Sequence, residues 1–136
     1  MNQFIIKQWE ENKHLLENYF STTLQNNYNS YKTIVEKIFE YCIKKADDYS
    51  SFDVSKMTVI DDGDYQGTQI FIIPKDTYQP SVEDYIMTNT YYGSCSGCDT
   101  LQGICGYSDE LPTEEQVGDY MTLALHLVQK MKFLSE

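Results

Sequence analysis

Two cysteines separated by two residues are the side chains of this sequence best placed to do chemistry. Cys95 and Cys98 lie in the stretch TYYGSCSGCDTLQG, which spans residues 90–103. A Cys-x-x-Cys pair is a common half-site for zinc, and it is also the motif of dithiol redox proteins. Both chemistries require further groups that the rest of the chain has to supply.

A structural zinc site takes four ligands, so this pair needs two more. Cys105 is a candidate third ligand and His126 a candidate fourth. However, His126 falls on the polar side of the predicted last helix, and His14 lies opposite the apolar side of the predicted first helix. Both histidines are therefore expected at the surface. The preferred interpretation has no cofactor, and zinc held by Cys95, Cys98, Cys105 and His126 is the alternative.

A redox dithiol requires a strand followed by the cysteine pair at a helix N-terminus, where the helix dipole lowers the pKa of the first thiol. A predicted strand does precede the pair, but Gly103 and Gly106 leave room for only a short helix with a weak dipole. A cysteine nucleophile needs a nearby base, and the sequence places neither histidine beside it. We therefore expect a non-enzymatic protein with no catalytic residues, and dithiol redox chemistry is the second form of the alternative.

The same loop is also consistent with a tight packed turn or with a recognition loop. Glycine permits backbone conformations that other residues avoid, and Ser and Asp side chains accept bonds from neighbouring amides. Asp99 is predicted to cap a short turn at TLQG. A recognition loop would use the residues Tyr91, Tyr92, Gly93, Ser94, Cys95, Ser96, Gly97, Cys98 and Asp99. Both interpretations stay open at this point.

The elements that hold the loop are predicted from the spacing of apolar residues. Helical periodicity predicts α-helices over 3–25 and 31–46, separated by the break QNNYNS. A short connection favours an antiparallel helical hairpin within residues 1–46. Cys42 lies on the apolar side of the second helix and is expected to pack in the core.

The pattern then changes to that of β-strands. The stretches 56–60 and 68–73 are rich in β-branched and aromatic residues, and the Gly/Asp-rich segment DDGDYQG between them predicts a hairpin turn. DDGD lacks the ligand spacing and the closing glutamate of an EF-hand, so calcium is not expected there. Residues 84–92 predict a further strand, giving a small antiparallel sheet of about three strands across 56–92, followed by the Cys/Gly loop at 93–106.

The last segment predicts a long helix over 113–134. Thr113 followed by Gln116 is a capping box, and a continuous apolar stripe follows it. This helix is expected to lie across one face of the sheet. The predicted fold class is α+β, with a single domain over 1–136.

The charge distribution favours a protein partner over a nucleic acid. The chain has 10 Lys and no Arg against 21 Asp and Glu, for a net charge of −11. Residues 46–120 hold 15 acids and 2 lysines (net −13), whereas the flanks hold 6 acids and 8 lysines (net +2). Binding to nucleic acid needs a basic footprint, which this acidic middle segment opposes. The 12 tyrosines suit a contact surface, so self-association into a homo-oligomer also stays open.

No apolar run predicts a signal peptide or a membrane span. We therefore expect a cytoplasmic protein that does not enter a membrane. In that compartment the four cysteines should be reduced thiols unless they bind metal or take part in redox chemistry.

The Cys loop and the last helix carry a resemblance to a known group. YYGSCSGCDTLQ together with EEQVGDYMTLALHLVQKMK resembles small, mostly uncharacterised proteins of bacteriophages and prophages, over about residues 58–133. The resemblance implies a phage accessory protein that acts in the bacterial cytoplasm. It assigns no catalytic role. Together with the small size and the acidic middle segment, it predicts a protein that binds a host or phage macromolecule, of which an inhibitor of a host defence system is one instance.

Overall fold

The helices and strands of this chain form an α+β fold, as the sequence predicts. The computed structural model describes residues 2–25, 30–64, 66–94, 99–105 and 110–135. Its elements in chain order are α1 (Gln3–Thr22), α2 (Tyr31–Tyr41), β1 (Thr58–Asp61), β2 (Gly67–Pro74), β3 (Tyr85–Tyr92), α3 (Thr100–Cys105), α4 (Glu114–Gln129) and β4 (Lys132–Phe133), with short 3₁₀ turns at Val54–Lys56 and Val82–Asp84.

The four strands form one antiparallel sheet in the order β1-β2-β3-β4. One face of this sheet carries the fully buried side chains Phe71, Ile73, Ile86 and Thr88. Side chains alternate between the two faces of a strand, so these residues define the inner face and their neighbours the outer face. The β1–β2 hairpin confirms the predicted Gly/Asp turn.

That turn requires a glycine for steric reasons. A Cβ atom built on Gly63 would overlap the carbonyl oxygen of Gln66. A Cβ on Gly67 would lie 2.5 Å from Asp62 Oδ1. A side chain at position 63 would therefore require the backbone of the turn to shift, whereas one at position 67 would first displace the Asp62 carboxylate.

The helices pack on the inner face. The Thr88 hydroxyl of β3 donates a hydrogen bond of 2.6 Å to the carbonyl oxygen of Leu127, which fixes α4 against the sheet. On its other side α4 contacts α1, where the rings of Phe20 and Tyr120 stack with centroids 4.8 Å apart. Both rings are buried, so this contact lies within the hydrophobic core.

The second helix is shorter than predicted, ending at Tyr41 rather than at residue 46. Two side chains of α1 bind the backbone just beyond that end. Asn12 donates to the carbonyl of Cys42 at 3.1 Å, while Gln8 donates to the carbonyl of Lys45 at 2.8 Å and accepts from its amide at 3.0 Å. Because α1 supplies these partners, the chain can leave the helix without burying unpaired polar groups.

The last helix has the predicted capping box, in which the Thr113 hydroxyl accepts from the Gln116 amide at 3.2 Å and the Gln116 side chain accepts from the Thr113 amide at 2.8 Å. It ends at Gln129 rather than at residue 134. The chain then turns, and Lys132–Phe133 pairs with Ile86 and Met87 as a fourth strand. The estimate of about three strands is thus one too few.

The structure also tests the predictions for Cys42, for the two histidines and for membrane-spanning helices. Cys42 is fully buried, which confirms its predicted place in the core. His14 and His126 are both exposed, as predicted. Within the described residues, no helix is both long and apolar enough to cross a membrane.

Candidate functional site

The carboxylate of Asp99 holds the two ends of the Cys-x-x-Cys loop together. Its Oδ1 atom accepts a hydrogen bond from the Gly93 amide at 2.9 Å, at the end of β3. Its Oδ2 atom accepts from the Gln102 amide at 2.9 Å, in the first turn of α3. The predicted capping role of Asp99 is therefore confirmed. The carboxylate is also nearly inaccessible, because Asp99 is only 5% exposed.

Tyr31, the first residue of α2, connects this loop to the helical layer. Its hydroxyl donates to Asp99 Oδ1 at 2.9 Å and accepts from the Leu101 amide at 3.1 Å. Burial raises the pKa of the Tyr31 hydroxyl, so that it stays protonated and remains a donor. Two elements distant in sequence thus fix the position of one buried carboxylate.

A second tyrosine joins the other side of the loop to the β1–β2 turn. The Tyr92 hydroxyl lies 2.6 Å from Asp61 Oδ1 and 2.8 Å from the carbonyl oxygen of Gly63, and both atoms are acceptors. The hydrogen bond from Tyr92 lowers the pKa of Asp61. The same bond raises the pKa of Tyr92 to about 12.

The predicted recognition residues therefore divide into two groups. Tyr92, Gly93 and Asp99 make internal hydrogen bonds that position the loop. Tyr91 and Ser94 are exposed, so their side chains face solvent next to the loop. Cys95, Ser96, Gly97 and Cys98 lie outside the described residues, as does the side chain of Cys105.

A zinc site at Cys95, Cys98, Cys105 and His126 stays a prediction. Its fourth ligand candidate, His126, is exposed on α4. Among the described residues, no group of three or more His, Cys, Asp or Glu side chains could hold a metal ion. The side chains of Cys95, Cys98 and Cys105 lie outside the described part of the chain.

The exposed Tyr91 side chain belongs to a larger apolar surface on the outer face of the sheet. Strand pairing sets Ile60 opposite Ile70 and Ile72 opposite Met87 on this face. Tyr91 is 58% exposed and Ile60 is 48% exposed. The inner residues that alternate with these along each strand are buried under the helices. The large apolar side chains of the outer face, in contrast, lie at the surface.

Acidic residues border this outer face at the end that carries the loop. Asp62 and Asp64, in the β1–β2 turn, are both exposed. Asp62 Oδ1 accepts from the Thr68 amide at 2.6 Å, so this carboxylate is fixed in place. The surface beside Tyr91 thus combines an apolar centre with a negative edge.

Sequence reasoning missed Tyr31 and Ile60. Tyr31 precedes Ile34 and Val35 by three and four residues, so helical periodicity could have added it to the predicted stripe. Ile60 carried no such signal, because the exposed face of a strand is decided by which side the helices cover.

Comparisons with protein-family models, with curated proteins and with solved structures found no match for this chain.

Proposed function

We propose that this chain is a phage-encoded accessory protein without catalytic activity, which binds a host or phage protein in the bacterial cytoplasm. The outer face of the sheet is the surface that we assign to this binding. The observation that carries the proposal is the exposure of Tyr91 (58%) and Ile60 (48%) on a face that the helices leave uncovered. Large exposed apolar side chains in a contiguous patch mark interaction surfaces more often than single exposed residues do.

The chemistry of the partner follows from the border of this surface. An apolar centre with Asp62 and Asp64 at one end suits a protein that presents apolar side chains with Lys or Arg beside them. A nucleic acid would meet repulsion from the same carboxylates. The phage origin is supported by the resemblance of the Cys loop and the last helix to phage and prophage proteins.

The test is affinity capture from phage-infected bacteria, quantified by mass spectrometry. We expect the wild-type protein to enrich one partner at low and moderate salt. The double variant Ile60→Thr, Tyr91→Thr removes the apolar contacts with a residue that suits strands, so it should lose about tenfold of that enrichment without unfolding. Tyr78→Thr is the matched control, because Tyr78 is 90% exposed and lies in the loop at the opposite end of the sheet.

Capture of no partner at any salt concentration would contradict the proposed function. Equal capture by wild type and by the double variant would remove the outer face as the binding surface. Inhibition of a host defence system is the specific role that we propose for the captured interaction. It predicts that expression of the protein restores plaque formation on a strain protected by the captured component, and that the double variant does not.

A further inference from the structure

A groove between α1 and α4 lies on the helical layer, away from the outer face of the sheet. Its volume is about 470 Å³, within the range of ligand-binding clefts. The residues that line it are Glu17 and Ser21 of α1, Pro112 before α4, and Glu114, Val117, Gly118 and Met121 of α4. The α4 residues follow the spacing i, i+3, i+4, i+7, so they form one continuous side of that helix.

The groove is open because α4 carries a glycine in its interior. A Cβ atom built on Gly118 meets no other atom within 4 Å. Glycine in a helix interior is less favourable than alanine by roughly 1 kcal/mol. Since neither a tight contact nor an unusual backbone angle requires the glycine, its effect in the fold is to leave the groove wider than any other residue would.

The groove has a negative rim and an apolar floor. Glu17 and Glu114 are exposed, and they stand on the two helices that form the walls. In the described part of the chain, neither carboxylate takes part in an ion pair. Val117, which is 7% exposed, lies at the floor with Met121.

We propose that this groove receives a lysine or arginine side chain from a segment of a partner protein. The aliphatic stem of such a side chain packs on Val117 and Met121, and its cationic head meets Glu17 and Glu114. Leu111, which is 53% exposed and precedes the groove residue Pro112, offers an apolar contact for the residues beside that cation. A second copy of this chain is the poorer occupant, because two molecules of net charge −11 repel each other.

The groove and the outer face of the sheet are separate surfaces, so an experiment can show that one of them binds no partner without bearing on the other. Its probe is a synthetic amphipathic peptide that contains arginine, compared with a peptide of the same sequence in which glutamate replaces each arginine. Binding is followed by backbone amide and methyl shifts of isotope-labelled protein. We expect saturable shifts at Val117, Gly118 and Met121 with the arginine peptide alone, weakening as salt rises.

Two sets of variants separate binding from folding. The double variant Glu17→Gln, Glu114→Gln should weaken the arginine peptide about threefold to tenfold, as expected for two exposed ion pairs. Gly118→Leu should fill the groove and remove the shifts. Because leucine favours helices, this variant should melt no lower than wild type, and the matched variant Gly118→Ala should melt about 3 °C higher.

Four outcomes would overturn the inference. They are the absence of saturable shifts up to millimolar peptide, equal binding of the glutamate peptide, full affinity of the Gly118→Leu variant, and shifts confined to the outer face of the sheet. A fifth outcome, groove shifts that depend on protein concentration alone, would also overturn it and would assign the groove to a second copy of this chain.

Discussion

Asp99 is the residue on which the geometry of the Cys-x-x-Cys loop depends most. Its two carboxylate oxygens accept three hydrogen bonds, from the Tyr31 hydroxyl and from the amides of Gly93 and Gln102, each at 2.9 Å. All three partners are donors, so an acceptor-only group suits this position and an amide does not. The loop is therefore closed by side-chain chemistry and not only by the tight backbone that its glycines permit.

We expect Asp99→Asn to destabilise the protein by about 2–3 kcal/mol, since the amide NH₂ group would face a donor in a buried site. Tyr31→Phe should cost about 1–2 kcal/mol, because it removes one bond to Asp99 and leaves the Leu101 amide unpaired. Urea denaturation measures both. The double variant should cost less than the sum of the two single changes, and strict additivity would contradict the shared network.

The Tyr92 hydroxyl joins the β1–β2 turn to the end of β3. Its bond to Asp61 lowers the pKa of that carboxyl and raises the pKa of Tyr92 itself to about 12. A lowered carboxyl pKa stabilises the fold above the unfolded pKa of about 4, and this contribution is lost as the pH falls through the folded pKa. A raised tyrosine pKa stabilises the fold below the unfolded pKa of about 10, and this contribution is lost as the pH rises toward 12.

Tyr92→Phe should therefore lower stability between about pH 4 and pH 10, with a difference from wild type that shrinks outside this window. In the same variant the pKa of Asp61, followed by the NMR shift of its carboxyl carbon, should rise toward its ordinary value. Tyr91→Phe is the control, because the Tyr91 hydroxyl lies 3.4 Å from Gln66 Oε1, and Tyr91 points to the opposite face of β3 from Tyr92. An Asp61 pKa that stays the same in Tyr92→Phe would show that the hydroxyl is not the cause of its shift.

The elements also show which parts of the fold could be predicted from the sequence. The capping box at Thr113 and the β1–β2 turn were predictable because their signals lie within a few residues of each other. The end of α2 at Tyr41 was not, since the groups that satisfy the following backbone come from Gln8 and Asn12 in another helix. The two-residue strand β4 was missed for a related reason, as it is too short to have a periodic pattern of its own.

The candidate surfaces were predictable only in part. The sequence marked Tyr91 because it adjoins an unusual Gly/Ser/Cys segment, but it could not show that Tyr91 is exposed while Tyr92 binds Asp61. Gly118 did carry a signal, since a glycine inside an otherwise periodic helix is unfavourable by itself. Glu17, which lines the same groove from α1, is about a hundred residues from Gly118 in sequence. The groove is therefore formed only when α1 packs on α4.

The two lysines of the acidic middle segment, residues 46–120, do not neutralise its negative charge. Lys75 lies 2.9 Å from Asp47 and 3.6 Å from Asp84, and Lys56 lies 3.8 Å from Asp53. Each of the two lysines in residues 46–120 is therefore already paired with acids of the same segment. A net field of this sign attracts basic partners and repels nucleic acids, and it acts on both surfaces that we propose.

Whether the thiols bind zinc, form a disulfide or do neither distinguishes a binding protein from the metal or redox alternative. Burial raises the pKa of the Cys42 thiol to about 12, so it stays protonated and slow to react at neutral pH. In protein purified without chelator, we expect no bound zinc, and a thiol titration in which Cys42 reacts only after urea unfolds the protein. Cys42→Ala should lower the number of thiols counted in urea by one and leave the native count unchanged.

The same preparation tests the alternative directly, because a zinc site or a reactive dithiol would involve Cys95 and Cys98 and leave Cys42 unchanged. Stoichiometric zinc that disappears in the variant Cys95→Ser, Cys98→Ser would favour the zinc alternative over a protein without a cofactor. Reversible formation of a disulfide between Cys95 and Cys98 when an oxidant is added to the native protein would favour the redox form of the alternative. Since removal of a structural zinc also unfolds small domains, an unchanged melting temperature in the double serine variant would exclude a structural role for a metal at these cysteines.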